Sequence, residues 1–273
     1  MNTRSRWVLL ALGLAAMLAF MPNGDARSGN AQASKRFQLP DTAFDGLIHE
    51  ANKNLQEELA SPEPWVNRVR SNALMIALAT QHRLAHKRGD ARQLNQFATM
   101  RDAVLRLARA IDLDGVYRDL VEVRKQADLL NTFPDIKANP NATREVIRLK
   151  GAFEQEDVDF HFAKKRTQLG IEREMWPILR ATKPMPIEKS ADKLEMIGYK
   201  VALLAEMLRD FDDNVREQKV NQRKEWVAHA TDAQYMGWQL AEAARAKDAK
   251  QVKSVVERMT NACNECHAKF RCD

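Results

Sequence analysis

Residues 248–271 read DAKQVKSVVERMTNACNECHAKFR and form the most strongly patterned stretch of the chain. Apolar residues recur there at steps of three and four over about five turns, which is the period of an α-helix with one buried face. Asp248 stands at the start, where an aspartate is a favoured N-cap residue. The face comprises Val252, Val255, Val256, Met259, Ala262, Cys263, Cys266, His267 and Phe270.

The second half of this face carries Cys263 and Cys266, three residues apart, and His267 directly after them. Residues three apart lie on the same side of a helix, and the adjacent histidine reaches that side as well. Cys-x-x-Cys-His is the pattern of covalent haem attachment, in which each thiol adds to a vinyl group and the histidine coordinates the iron. The motif therefore predicts one covalently bound haem c with His267 as an axial iron ligand. Met259, one turn before Cys263, is expected to pack against the haem.

Other uses of the cysteines fit less well. A zinc site of Cys263, Cys266, His267 and Cys272 is disfavoured, because adjacent residues on a straight helix do not easily take two corners of a tetrahedron. Redox-active Cys-x-x-Cys pairs open a helix that follows a strand, and no strand pattern precedes this one. A chance match in a structural helix is the remaining alternative.

The amino-terminal residues have the pattern of a secretory signal, which argues against a chance match because c-type haem is attached outside the bacterial cytoplasm. Two arginines precede an uncharged, mostly apolar run at 7–21, and Ala31-Gln32-Ala33 fits the small-x-small rule for cleavage. The run is shorter than the ~20 apolar residues of a spanning helix, so a cleaved signal is favoured over a membrane anchor. We expect residues 1–33 to be removed and the protein to be periplasmic.

Charge and composition exclude several functional classes. The net charge is +6, and removal of residues 1–33 takes away three arginines and one aspartate, leaving about +4. This weak basic excess could steer an acidic redox partner protein. No run of five or six basic residues occurs and aromatic residues make up only 7% of the chain, so nucleic-acid binding is disfavoured. We expect no Ser-His-Asp pattern, no phosphate loop and no His-x-x-x-His metal helix, and therefore an electron carrier or haem-binding protein rather than an enzyme.

The rest of the chain predicts an all-α protein, because strong helix formers abound and glycine and proline number only 10 and 9. We expect a helical bundle without a haem motif at 34–135, a linker or irregular segment at 136–170, and a haem domain at 171–273. Small residues on the predicted helix at 222–246, such as Ala230, Ala233 and Gly237, would allow the close approach that a flat haem requires. Helices are predicted at 44–59, 65–87, 91–111, 116–131, 172–180, 187–214, 222–246 and 248–271.

The carboxyl-terminal part, about residues 170–273, resembles the class II c-type cytochromes, the cytochrome c′-like family. The resemblance is carried by Cys263 to Arg271, which read Cys-x-x-Cys-His-x-x-Phe-Arg at the end of a four-helix chain. It implies an antiparallel four-helix bundle with haem between the helices. It also implies thioether bonds at both cysteines, His267 as the proximal ligand, and Phe270 and Arg271 beside the haem. Family members often form homodimers. Cys272 has no counterpart in the family pattern. It is expected to be either a free thiol or a cross-link between two chains.

The group opposite His267 decides the function. A methionine or histidine there would give a low-spin haem suited to one-electron transfer, whereas an empty position would let a five-coordinate iron bind NO or CO. One-electron transfer is the favoured function, and gas binding and a haemless helical interaction protein are its alternatives. No sixth ligand is assigned. The candidates are His161, His229, Met175, Met196, Met207 and Met236.

Weak internal similarity relates the two halves. Residues 72–77 (NALMIA) resemble 200–205 (KVALLA), and 105–110 (LRLARA) resemble 238–243 (WQLAEA). In this register, residues 129–133 fall near the haem motif and carry no cysteine or histidine. A haemless copy of the haem-binding bundle would explain the similarity. Two helical domains of similar composition would explain it equally, and a register that pairs Trp65 with Trp226 fits almost as well.

Overall fold

The computed structural model describes residues 37–112, 116–132, 136–137, 139, 153–154, 157, 169–211 and 220–270. Within these residues the chain forms eight α-helices and no strand, so the all-α prediction is confirmed. The predicted signal at 1–33, His161, Arg271 and Cys272 lie outside the described residues. The helices are α1 (Asp41–Ala60), α2 (Val66–Ala85), α3 (Ala91–Arg109), α4 (Leu120–Leu130), α5 (Ile171–Arg180), α6 (Ala191–Asp210), α7 (Val220–Arg245) and α8 (Ala249–Phe270).

Helix starts follow the capping residues of the sequence. Asp248 accepts a hydrogen bond from the Gln251 backbone N–H at 2.9 Å, as predicted for an N-cap. Asp119 caps α4 in the same way through the Glu122 N–H at 2.9 Å. The predicted helix at 116–131 therefore begins only at 120, because Tyr117 pairs with Ile111 in an isolated bridge. None of the described helices has the length and apolar character needed to span a bilayer.

The larger core is built mainly by α1–α4, and it also takes side chains from α6 and α7. Tyr199, Leu203 and Met207 of α6 are buried in it together with Ala241 of α7. Residues 37–273 accordingly form one compact unit. The predicted domain boundaries stay a prediction, because most of the segment 136–170 lies outside the described residues.

A second core lies among α5, α6, α7 and α8, where α7 contacts both α6 and α8, and α5 contacts α6 and α8. The predicted apolar face of α8 supplies it with Val252, Val255, Val256 and Met259, none of which is accessible to solvent. Burial of side chains of this size is the main stabilising contribution to helix packing. The amino-terminal half of α8 is therefore anchored in a filled core, and its motif lies beyond that core.

Helices α6 and α7 approach each other closely at a pair of glycines. A Cβ atom built on Gly198 would lie 2.5 Å from the Gly237 carbonyl oxygen, and one built on Gly237 would lie 2.7 Å from the Gly198 carbonyl oxygen. Real Cβ atoms do not approach backbone so closely, so both positions require glycine. The expectation that Gly237 makes room for the cofactor is wrong: it makes room for α6, while Ala230 and Ala233 border the open space described below.

Candidate cofactor site

The three motif residues border one cavity. Cys263, Cys266 and His267 are each half-buried on α8 and all line a cavity of about 740 Å³. Cofactor and ligand pockets in proteins measure about 300–1,000 Å³, so the space is of suitable size for a cofactor. Cys263 and Cys266 are not joined by a disulfide. The helical spacing that the motif predicted thus brings both sulfur atoms and the imidazole to one open space.

The wall of the cavity has an apolar part supplied by the last four helices. Its members are small or aliphatic side chains on α5, α6 and α7, so a flat apolar group can lie among them without leaving a buried polar atom unpaired. They include Met175, Val201, Leu204, Leu208, Ala230 and Ala233.

The rest of the wall is polar and comes from several helices, including Glu172 and Arg173 of α5 and Thr260 and Asn264 of α8. Glu50 and Asn54 of α1, Arg68 and Asn72 of α2, and Lys200 of α6 line this part. Haem is amphipathic in the same sense, because an apolar macrocycle carries two carboxylates at one edge. Two thiols, one imidazole, and both apolar and polar side chains around one cavity together form a donor set and a surface that fit haem c.

Trp226 and Phe270 form a small aromatic cluster that packs against the motif residue Cys266. The Trp226 ring is 2% exposed and borders the cavity, and its Nε1 donates a hydrogen bond to the Leu208 carbonyl oxygen at 2.7 Å. Phe270 packs edge-on against Trp226 with 5.5 Å between ring centroids, and Cys266 packs against the same pair. Phe270 therefore contacts a wall residue and does not line the cavity. Its predicted contact with haem stays a prediction.

Met259 belongs to the α5–α8 core and does not line the cavity either. Its side chain is fully buried one turn before Cys263, which packs against the same core. The structure places Met259 among Val255 and its neighbours in the protein interior. Its predicted packing against haem stays a prediction.

Burial controls the chemistry of the Cys266 thiol. Removal from water disfavours a thiolate, and a thiolate at Cys263 would repel it, so the pKa of Cys266 rises to about 11. In the haemless chain this side chain is consequently a neutral thiol at physiological pH, which suits an apolar cavity wall better than an anion would.

The candidate sixth ligands divide by position. Met175, Met207 and His229 line the cavity. Met196 packs against Gly46, with its Cε 3.2 Å from where a Cβ would stand, and Met236 is buried in the α5–α8 core. His161 lies outside the described residues. A ligand supplied by the described residues would thus come from α5, α6 or α7.

A second cluster of potential ligands lies away from the cavity and escaped the sequence analysis. His82, His86 and Glu206 place one nitrogen or oxygen atom each within 4.8 Å of the others. The expectation that the chain has no His-x-x-x-His pattern is wrong, because His82 of α2 and His86, the residue after this helix, form one. His82 accepts the Leu39 backbone N–H at Nε2 (3.1 Å), so in its neutral form Nδ1 carries the proton and donates to Glu206 at 2.8 Å.

This arrangement argues against a metal ion at His82. A metal on Nδ1 would move the ring proton to Nε2, where it would face the Leu39 N–H, and two donors cannot pair. Burial raises the pKa of Glu206, but the hydrogen bond and charge of His82 outweigh it, so the pKa is lowered overall. The cluster is thus a buried hydrogen-bonded link between α2 and α6.

No protein-family model matches the chain, and neither a curated protein nor a solved structure is significantly similar to it.

Proposed function

We propose that this protein is a periplasmic c-type cytochrome that carries one covalently bound haem and transfers single electrons to and from a redox partner protein. Cys263 and Cys266 would form the thioether bonds, and His267 would coordinate the iron. In this proposal α5–α8 form an antiparallel four-helix bundle of the cytochrome c′ type, to which residues 170–273 are similar in their motif.

The observation that carries the proposal is the position of the cavity. A chain that merely contained Cys-x-x-Cys-His by chance would have no reason to leave about 740 Å³ beside all three side chains. Cofactor sites are typically clefts that are lined by apolar side chains and a few polar groups. A space of this size, bordered by two thiols and an imidazole, is the space expected for a bound group.

The residues around the cavity would each serve one-electron chemistry in a defined way. Bound haem supplies an iron that alternates between the ferric and ferrous states. The apolar side chains of α6 and α7 exclude water, which limits the solvent reorganisation that accompanies a change of charge. The filled core under the first half of α8 holds the motif still in both states, because Val252, Val255 and Val256 are completely buried.

A direct test is to produce the full chain together with a c-type haem maturation system and to unfold it in denaturant. We expect one haem per chain by pyridine haemochrome spectroscopy, and we expect it to remain attached after unfolding. The double variant Cys263→Ala/Cys266→Ala should retain none, whereas Cys272→Ala should retain all of it. A wild-type chain purified without covalent haem would refute the proposal and leave the helical interaction protein as the function to examine.

The apolar wall supports a second candidate function for the same haem, which is binding of NO or CO. Val201, Leu204 and Leu208 offer no iron ligand, so a haem face turned toward them would be five-coordinate. The reduced protein should then show a high-spin spectrum that shifts when CO is added. A methionine–iron absorption band, or the loss of ferric low-spin character in Met175→Ala or Met207→Ala, would favour electron transfer instead.

A further inference from the structure

Two cationic side chains, Lys200 and Arg68, line the polar part of the cavity next to α1. Lys200 Nζ donates to Glu50 Oε1 at 2.9 Å, and Arg68 donates from NH2 to Asn54 Oδ1 at 3.4 Å. Glu50 and Asn54 are four residues apart on α1, so they lie on one face about 5–6 Å from each other. The ammonium and the guanidinium are therefore held roughly one helical turn apart on the same wall.

Neither cation has used all its donors. The Lys200 side chain is only 7% exposed, and its hydrogen bond to Glu50 occupies one of three N–H groups. Arg68 also donates from NH1 to Glu58 at 2.7 Å, which leaves further N–H groups of its fork. Glu58 also accepts the Trp65 backbone N–H at 2.9 Å, and the Glu50 side chain is 43% exposed, so water screens its charge.

The chemistry of haem sets which edge would face this wall. Its two vinyl groups and its two propionates lie on opposite sides of the macrocycle. If the vinyl groups are bonded to Cys263 and Cys266 on α8, the propionates are directed away from that helix. Helix α8 packs against α5 and α7, whereas α1 and α2 pack against α6, so the polar side chains of α1 and α2 border the cavity away from the motif helix.

We propose that Arg68 and Lys200 bind the two haem propionates, so that the amino-terminal helices form the carboxylate-binding end of the haem site. This inference rests on the proposed function. It gives α1 and α2 a binding role, although they lie outside the part of the chain that resembles the cytochrome c′ family. Paired guanidinium–carboxylate and ammonium–carboxylate contacts in a partly buried site are strong hydrogen bonds.

The test introduces Lys200→Gln into the wild type and into Glu50→Gln, and it measures urea unfolding of the haem-loaded full chain. The sign of the change in stability tests the proposal. With Glu50→Gln present, Lys200 has lost its protein partner. If a propionate holds Lys200, its removal should lower the folding equilibrium constant about tenfold to a hundredfold. If no propionate is there, removal should raise this constant, because an unpaired buried cation disappears.

Spectroscopy on the folded protein gives a second measurement that does not depend on unfolding. The resonance Raman bending bands of the propionates should shift in Arg68→Gln and in Lys200→Gln. They should stay in place in Lys253→Gln, a matched lysine that is paired with Glu257 on α8 and does not line the cavity. Unshifted bands in both cavity variants would overturn the proposal. A chain that lacks covalent haem altogether would instead refute the proposed function.

Discussion

Helices α3 and α7 correspond in one of the two registers of the internal similarity, and in that register they carry side chains of different size. In the register that pairs 105–110 with 238–243, Phe97 and Met100 of α3 correspond to Ala230 and Ala233 of α7. Met100 is fully buried, and Phe97 packs edge-on against Phe44 with 5.1 Å between ring centroids. The two alanines instead border the cavity.

The difference shows that helices of similar sequence can border a filled core in one half and an open space in the other. Within the described residues each half supplies four helices. The similar segments are 128 residues apart for α2 and α6 and 133 residues apart for α3 and α7. The two alanines of α7 border the space next to the last helix. In the first half the matching space is filled, and residues 129–133 carry no cysteine or histidine.

The strongest way to break this comparison is to give α7 the side chains of α3. In Ala230→Phe/Ala233→Met we expect most of the covalent haem to be lost, because the added groups occupy the space that the macrocycle needs. Haem per chain by pyridine haemochrome is the measurement. The control is Ala228→Phe, an exposed position on the same helix. Haem content equal to that of the wild type would show that the two alanines do not define the site.

A second variant concerns the crossing that only the second half possesses. Gly237 corresponds to Val104 of α3, and its Cβ would lie 2.7 Å from the Gly198 carbonyl oxygen. Gly237→Ala should lower the free energy of unfolding by about 3 kcal/mol, because backbone must move to admit the methyl group. Gly46→Ala is a matched control, since its Cβ would meet only the flexible end of Met196. Equal urea midpoints for the two variants would contradict the close crossing.

A third prediction probes the link that joins the halves, from His82 on α2 to Glu206 on α6. Glu206→Gln should cost about 2 kcal/mol at pH 7, because a charge-assisted hydrogen bond is lost. The pKa of this carboxyl is lowered in the folded chain, so its contribution is present above the unfolded-state pKa and fades as pH falls through the folded-state value.

The difference in the free energy of unfolding between wild type and Glu206→Gln should therefore have its full size at neutral pH and become smaller below about pH 4. Urea unfolding at a series of pH values measures it. Glu257→Gln serves as control, because Glu257 is half exposed and its pair with Lys253 lies within α8. A gap that widened toward acid pH would mean that Glu206 is not held as a carboxylate.

The smallest expected effect concerns the N-cap residues of α4 and α8, which are the last helices of the two halves. Asp119→Ala in α4 and Asp248→Ala in α8 should each destabilise the chain by about 1 kcal/mol, because each aspartate accepts one otherwise unpaired backbone N–H. Thermal unfolding of both variants is the measurement. A much larger loss for one of them would show that α4 and α8 differ in more than their carboxyl-terminal segments.

Helix positions were legible in the sequence because their causes are local. Apolar spacing along α8 and the aspartate before it depend on residues within one or two turns, and the structure begins the helix at Ala249. The prediction failed where a distant partner intervened. The helix expected from 116 begins at 120 because Tyr117 pairs with Ile111 and Asp119 becomes the cap.

The candidate site was only half predictable for the same reason. Cys263, Cys266 and His267 occupy consecutive positions of one motif, so their common side follows from helix geometry alone. Asn54 and Arg68, which line the same cavity, precede the motif by about two hundred residues, and no periodic pattern relates them to it. Gly237 was read as space for a cofactor, although the neighbour that demands it is Gly198.

By itself, the amino-acid sequence determined the helical class, the approximate positions of the helices and the shared face of two thiols and an imidazole, because each depends on interactions among residues a few positions apart. The helices expected from 116 and 187 begin at 120 and 191 instead. The tertiary structure decided that this face borders an open space, that α1 and α2 supply part of its polar wall, and that His82 reaches Glu206. Such contacts depend on how helices distant in sequence pack, and packing is set by the shapes of many side chains at once.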